Sequence, residues 1–297
     1  MAAGLRGEAP VKAPDFAYIR PDSLDGVFAA LAQYGDDARI LAGGQTLMAL
    51  QNMRLAAADV LVDINRVPDL SDIVEEPDHL LIGALVHYAA LAESPLVQRH
   101  VPLLADAVPF VAHAAIRNRG TVGGSLALGD PAAEMPACML ALGAQVVLSS
   151  AAGTRTVPIG EFYLGLYETA LRPDEVLTAV RVPKRRPDQF HAIDEIVRRR
   201  GDFALAGLAV SGVADKGTVE AISLALFGVA DRPVLATDAA DLLIGKALDP
   251  AQIESAKDAV IASLDPPDDP ITPPAYRRHI GGVLVQRLLG QIREKLA

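Results

Sequence analysis

Two glycine pairs are the parts of this sequence best suited to chemistry: Ala42, Gly43, Gly44, Gln45 and Thr46 in one run, and Thr121, Val122, Gly123, Gly124 and Ser125 in the other. Each follows a short apolar segment and closes on a hydroxyl residue. A Gly-Gly step lets the backbone take positive φ and approach a ligand with no Cβ in the way. Exposed N–H groups there, with a hydroxyl beside them, make a small anion cradle. Taken alone, each pair reads as a plain turn. As a matched pair, the two cradles could grip the two phosphates of one pyrophosphate, which suggests a dinucleotide. Neither has the Gly-x-Gly-x-x-Gly spacing of a Rossmann turn or the Lys of a Walker loop.

Other chemistry-bearing residues offer less. The six histidines (His79, His87, His100, His113, His191, His279) have no metal-ligand spacing, so no metal site is expected. Cys138, between Ala137 and Met139, reads as a small buried hydrophobe. A single cysteine excludes a disulfide framework, and a zinc or iron–sulfur site held by this chain's thiolates alone. It also fits a reducing compartment. Asp174 and Glu175 are adjacent and face different directions, which suits a turn better than an acid–base pair, so no catalytic residue is assigned. With 37 acidic against 27 basic side chains, a net charge of -10, 4% aromatic residues and no Trp, general nucleic-acid binding is excluded. One stretch runs against that charge: Arg181, Lys184, Arg185, Arg186, Arg198, Arg199 and Arg200. It reads either as a solvated loop or as a docking surface for an acidic partner.

The elements that must position the glycine pairs follow from periodicity and punctuation. A chain of 297 residues with 51% hydrophobic content suggests two or three domains. Residues 1–14 lack the apolar run of a secretory signal and read as a loose extension. A first zone, 15–66, holds a helix capped at Asp22-Ser23 with Leu24, Val27, Phe28 and Leu31 on its apolar face. A strand at 39–42, helix-like spacing through Leu47, Leu50, Met53 and Leu55, and a strand at 60–64 follow. A second zone, 67–183, opens with a strand at 80–84 and helices at 88–91 and 102–115. The uncharged stretch 135–154 is broken by Pro136, Gly143 and Gly153, so it reads as a helix leading into a buried strand and not as a membrane span. A third zone, 184–297, has strands at 205–213 and 219–228, a proline-rich turn at 266–274, and a last helix at 276–296. That helix carries Ile280, Val283, Leu284, Leu288 and Ile292 on one side, and its default partner is its own domain.

With their flanks, the glycine segments resemble the FAD signatures of molybdenum hydroxylase flavoproteins. Ile40 to Leu47, with Met53-Arg54-Leu55 and Leu61-Val62-Asp63-Ile64, looks like the first signature. Ile116-Arg117-Asn118-Arg119-Gly120-Thr121-Val122-Gly123-Gly124-Ser125, continuing through Asp130-Pro131-Ala132-Ala133-Glu134, looks like the second, which is more specific because a long ordered string matches. The likeness goes on through 171–177 and 200–204 and spans the chain from about Phe16 to the final helix. It points to the medium, FAD-binding subunit of carbon monoxide dehydrogenase-type and xanthine dehydrogenase-family enzymes.

That resemblance implies an α+β fold: a two-part, vanillyl-alcohol-oxidase-like (PCMH-type) FAD-binding domain over 15–66 and 67–183, then a small α+β C-terminal domain of the carbon monoxide dehydrogenase flavoprotein type. It implies that the two glycine segments hold the FAD pyrophosphate, so that Val at Gly43 or Gly124 would fill phosphate space and abolish FAD retention. Glu134, where the family often has Asp, would contact the cofactor. Leu177 would be an apolar contact near the flavin, and Phe203 would stand in for an aromatic residue, often Tyr, beside the isoalloxazine. Ala49-Leu50 replaces a Pro common before the Met-x-x-Arg-Leu stretch, a change expected to affect helix entry. The implied function is an electron-transfer subunit of a heterotrimeric molybdenum hydroxylase. A large subunit with a molybdenum-pterin cofactor would oxidise carbon monoxide, an aldehyde or an N-heterocycle. A small subunit with two [2Fe–2S] clusters would relay electrons to this FAD, and from there to quinone, NAD or another acceptor. A dimer of heterotrimers is implied, in the cytoplasm, or at the inner face of the membrane where quinone is the acceptor. Two rivals stand beside this reading. One is a scaffold subunit that no longer binds FAD; the other is a stand-alone flavin oxidase, for which the sequence offers no His/Tyr/Glu constellation.

Overall fold

Short β-branched runs punctuated by glycine and proline build three larger sheets and one two-stranded hairpin. A computed structural model describes residues 13–56, 58–269 and 272–296. Most of the expected N-terminal extension, 1–12, and residues 270–271 of the proline-rich turn lie outside the described residues.

The first sheet is parallel and three-stranded: β1 (Ala17–Ile19), β2 (Ala38–Leu41) and β3 (Val60–Asp63), with β3 in the middle. All four residues of β3 are buried, as a central parallel strand requires. Helix Leu24–Tyr34 covers it through Val27, Ala30 and Leu31, and Ser23 caps it by accepting the Gly26 N–H at 3.3 Å. The helix after β2 is shorter than its spacing suggests. It spans Leu47–Asn52 and ends where Arg54 takes φ of 58°, so Met53 and Leu55 fall beyond it and are exposed.

The second sheet is antiparallel. Its strands are β4 (Ile73–Glu75), β5 (His79–Gly83), β6 (Gln145–Ser150), β7 (Gly153–Pro158) and, after the small hairpin of β8 (Tyr163–Gly165) and β9 (Glu168–Thr169), β10 (Val176–Pro183). The order β4-β5-β10-β6-β7 places β10 centrally. The expected helix over 102–115 is broken into Pro102–Ala107 and Ala114–Arg117. Pro109 cannot donate to the helical ladder, and Ala112 turns the chain with φ of 38°. Helix Glu134–Ala141 is buried at every position and leads into β6.

Asp174-Glu175 is structural, in line with its reading as a turn. Arg155 of β7 binds Glu175 through both Nε (2.6 Å) and Nη2 (2.9 Å), and Glu175 also accepts the Arg172 N–H at 2.9 Å. This pair fixes the turn that feeds β10. Replacing Arg155 with Met would strand a carboxylate that is only 5% exposed. In the wild type the Arg155 guanidinium holds that carboxyl below its usual range, and the variant loses this offset to the cost of burial. We expect a loss of about 2 kcal/mol at pH 7, read as a lower urea midpoint. The deficit should shrink as pH falls and the wild-type pair is itself lost.

The third sheet is an antiparallel meander of β11 (Gln189–Ile196), β12 (Ala206–Asp215), β13 (Thr218–Phe227) and β14 (Val234–Leu235). Helices Pro250–Ser263 and Pro274–Leu296 cover one face, with Ile280, Leu284, Leu288 and Ile292 of the latter buried in the same core as Leu208 and Val210. The opposite face meets helix Glu134–Ala141: Ala209, Ala225 and Phe227 join the core built by Leu80, Met135 and Met139. Gly207 makes room for this. A Cβ there would sit 1.9 Å from the Phe227 ring. No helix among the described residues is long and apolar enough to cross a membrane.

The basic stretch does not form one patch. Arg181 donates to His79, Lys184 pairs with Glu75, Arg186 with Asp188 and Glu220, and Arg198 donates to Thr272. Most of this charge is therefore engaged within the chain, across several elements.

Candidate functional site

The end of the parallel sheet and the start of helix Val122–Leu128 converge on a cavity of about 530 Å³. Ala42, Gly43, Gly44, Gln45 and Thr46 line one side, and Thr121, Gly123, Gly124 and Ser125 the other. Glu134, Leu177 and Phe203 complete its walls. Residues spread over some 160 positions of sequence are thus brought together. Val122 is the exception among the expected site residues. Its side chain is fully buried in the core and its N–H is bonded to the Val86 carbonyl at 3.0 Å.

The two segments touch. A Cβ on Gly43 would lie 2.2 Å from the Arg119 carbonyl oxygen and 3.0 Å from Gly120 Cα, so the first loop rests directly on the backbone leading into the second. That backbone is pinned: His87 Nδ1–H donates to the Arg119 carbonyl at 3.1 Å, and the Gly120 carbonyl accepts the Tyr88 N–H at 3.1 Å. From the other side, the nearest atom to a Cβ on Gly124, after its own cap, is Ala42 Cβ at 3.7 Å.

The expectation of two equivalent cradles needs correcting, because the segments are built differently. The first is an open loop in which Gly44 takes φ of +68°. Among the described residues, the N–H groups of Gly43, Gly44, Gln45 and Thr46 donate to no protein acceptor. The second is a helix start with its donors already used. Val122 and Gly123 donate to Val86 and Ala84, Gly124 to Thr121 Oγ1 at 3.1 Å, and Ser125 to the Thr121 carbonyl. Neither of its glycines has positive φ. Gly123 is required for packing instead, since a Cβ would meet Ala84 Cβ at 2.4 Å. The second segment therefore offers a smooth wall with the hydroxyls of Thr121 and Ser125, and the first offers free amides.

Local irregularities aim the remaining walls. β10 carries a bulge: Leu177 pairs with Leu148 but Ala179 pairs with Val147, leaving Thr178 extra. A bulge re-aims neighbouring side chains, and here Leu177, 5% exposed, faces the cavity. Phe203, at the rim, is 72% exposed.

The electrostatics are unusual for a site that would take an anion. Arg39 is the only Lys or Arg among the lining residues, and it is tied to the Asp36 and Ala38 carbonyls. Asp130 and Glu134 also line the cavity. Burial pushes the Asp130 carboxyl up, against the bonds it accepts from the Ala132 N–H and the Tyr167 hydroxyl. Burial, with the Asp130 charge adding to it, pushes Glu134 up to about 7. Burial thus works against the charged form of each carboxyl. Tyr88, also at the wall, has its hydroxyl pushed up by burial while it bonds Ser125. Arg39, Tyr88 and Asp130 were not assigned from the sequence. Asp130 sits inside the ordered string at 130–134 and could have been; Arg39 and Tyr88 carry no signal beyond adjacency to strands. Cys138 is fully buried, with its thiol raised by burial. Among the described residues no three His, Cys, Asp or Glu side chains come together as a metal site.

Comparison with known proteins places these features in context. The model of the FAD binding domain in molybdopterin dehydrogenase matches residues 14–185, and that of the CO dehydrogenase flavoprotein C-terminal domain matches residues 191–292. The chain is 38% identical to the carbon monoxide dehydrogenase medium chain of Hydrogenophaga pseudoflava, over 93% of this chain and 96% of that one. It is 36% identical to the 6-hydroxypseudooxynicotine dehydrogenase complex subunit alpha of Paenarthrobacter nicotinovorans, over 95% of each. A chain in the crystal structure of quinoline 2-oxidoreductase from Pseudomonas putida 86 superposes with a TM-score of 0.91 at 37% identity, covering 96% of this chain and 99% of that one.

Proposed function

Since this chain belongs to the FAD-binding medium subunits of the molybdenum hydroxylases, we propose that its cavity holds FAD with the pyrophosphate against the free amides of residues 43–46. The chain is an oxidoreductase subunit with an electron-transfer role. The observation that carries the proposal is the loop lining the cavity at 42–46, where the N–H groups of residues 43–46 are unbonded among the described residues and a Cβ on Gly43 would strike the Arg119 carbonyl. In this reading Thr121 and Ser125 hold the opposite side through their hydroxyls, and Gly123 and Gly124 keep that wall flat. Glu134, in its neutral form, donates to the cofactor; Leu177 packs on the ring system, and Phe203 screens its exposed edge. FAD supplies a store that exchanges two electrons one at a time with single-electron carriers. The protein's share is to bind, orient and desolvate.

The partners form the outer part of the proposal. A small subunit with [2Fe–2S] clusters delivers electrons, and a large subunit with the molybdenum-pterin cofactor oxidises the substrate, in a dimer of heterotrimers. We place the complex in the cytoplasm, or at the inner membrane face if quinone is the acceptor. The substrate is chosen on the large subunit, because relatives of nearly equal similarity carry names with different substrates: carbon monoxide, 6-hydroxypseudooxynicotine and quinoline.

Native purification with the neighbouring gene products tests this, with an absorbance spectrum and cofactor release. About one FAD per chain, co-eluting with iron–sulfur and molybdenum subunits, is the expected result. A colourless chain that still co-elutes would favour a scaffold. A yellow chain that purifies alone and oxidises a substrate without partners would return the question to a stand-alone oxidase.

A further inference from the structure

Two side-chain amides grip the carbonyls of the first glycine loop. Asn65 Nδ2 donates to the Ala42 carbonyl at 3.0 Å, and Gln45 Nε2 donates to the Gly43 carbonyl at 2.8 Å. In a trans peptide the C=O and N–H of one plane point in opposite directions. The Ala42 carbonyl shares its plane with the Gly43 N–H, and the Gly43 carbonyl shares the next plane with the Gly44 N–H. Turning the two carbonyls towards Asn65 and Gln45 therefore turns the two N–H groups the other way, without consuming them as donors.

Asn65 is itself held. Its backbone N–H and its Nδ2 both donate to Asp63 Oδ1, at 2.8 and 2.7 Å. Both hydrogens of Nδ2 are thus used, one on Asp63 and one on Ala42, which fixes the orientation of the side-chain amide. The other carboxylate oxygen, Asp63 Oδ2, accepts the Tyr18 hydroxyl and lies 3.3 Å from Arg20 Nε. Asp63 is 6% exposed, so its anchors are within the fold. The strand end of β3 and the loop after β2 are coupled by this chain of contacts.

We propose that Asn65 and Gln45 are positioning residues that preset the Gly43 and Gly44 amides for a phosphate, with Asp63 orienting Asn65. Gln45 then acts through the backbone and not as a direct ligand. Presetting lowers the ordering cost of binding, because the donors are already aimed when the ligand arrives. The inference rests on the FAD reading above.

The test is FAD rebinding to the full chain stripped of flavin, followed by fluorescence quenching, with riboflavin as a second probe that has the ring system but no phosphate. Asn65→Ala and Gln45→Ala are each expected to weaken FAD about tenfold while changing riboflavin affinity by less than about twofold. A loosened cavity would weaken both probes alike, and that result would overturn the proposal. So would FAD affinity within about twofold of wild type in both variants. If Asn65→Ala does not fold, Gln45→Ala decides alone, since the bond it removes goes only to the Gly43 carbonyl. A wild-type chain that takes up no FAD would instead sink the cofactor assignment, before any variant is compared.

Discussion

Gly43→Val is expected to yield a folded chain that has lost its FAD. The reason differs from simple occupation of phosphate space. The added Cβ would stand 2.2 Å from the Arg119 carbonyl oxygen, which His87 and its neighbours hold in place. Backbone pinned on both sides cannot yield as a side-chain tip can, so the loop at 42–46 must lift instead. Overpacking of this kind costs up to about 3 kcal/mol, and relieving it by moving the amides converts to roughly 100-fold in affinity. Gly124→Ala is the contrast. Its Cβ would meet Thr121 Oγ1 at 2.8 Å and nothing else closer than 3.7 Å. The hydroxyl can rotate away at the cost of a helix cap, about 1 kcal/mol, and most flavin should stay. The ratio of flavin to protein absorbance after gel filtration reads both. Full flavin in Gly43→Val would remove the pyrophosphate from this loop.

Glu134→Gln is expected to make the flavin-free chain more stable at pH 8 by about 3 kcal/mol, and to leave it nearly unchanged near pH 4. Burial raises the Glu134 carboxyl from 4.5 to about 7. Below the lower value the proton is bound in folded and unfolded chains alike, and the residue costs nothing. As pH climbs from there to about 7, the unfolded chain ionises while the folded one does not, so stability drains away. Above that the full penalty is in place, and glutamine removes it. Glu195 adds to the effect with the same sign. It is pushed up to about 8, first by burial and then by the Glu134 charge, so neutralising Glu134 lets it ionise more easily. Urea midpoints at pH 5 and pH 8 would settle the matter. An equal difference at both values, or a less stable variant at pH 8, would show that burial does not raise the Glu134 carboxyl in the folded chain.

Much of this was legible in the order of residues. The ordered string from Ile116 to Glu134 identified the family and the residues that gather at the cavity, because a long match constrains both chemistry and spacing. The helix cap at Ser23 and the strand β3 follow from local rules that tertiary context did not override. What did not follow was which backbone donors stay free. Gly-Gly looks the same whether it opens a loop, as at Gly43-Gly44, or starts a helix packed on Ala84, as at Gly123-Gly124. That difference depends in part on partners distant in the sequence, such as Ala84, 39 residues before Gly123. Val122 was assigned to the cavity because its neighbours belong there, yet a helical turn sends its side chain to the opposite side. The 102–115 helix breaks for a simpler reason that is local: Pro109 withholds a ladder donor, which outweighs the Ala- and Leu-rich composition around it.

The shared core of the second and third sheets sets where this protein can be cut and recombined. Phe227, Ala225 and Ala209 are built by the C-terminal sheet, yet they form the far wall behind helix Glu134–Ala141, whose first residue reaches the cavity. A junction placed between 185 and 191, where the two family matches part, would respect sequence modules while cutting a packing unit in two. Chimeras between relatives would have to carry that helix and the β12–β13 face together, and Gly207 with Phe227. The heritable unit for trading cofactor sites among these subunits is larger than the segment that touches the cofactor.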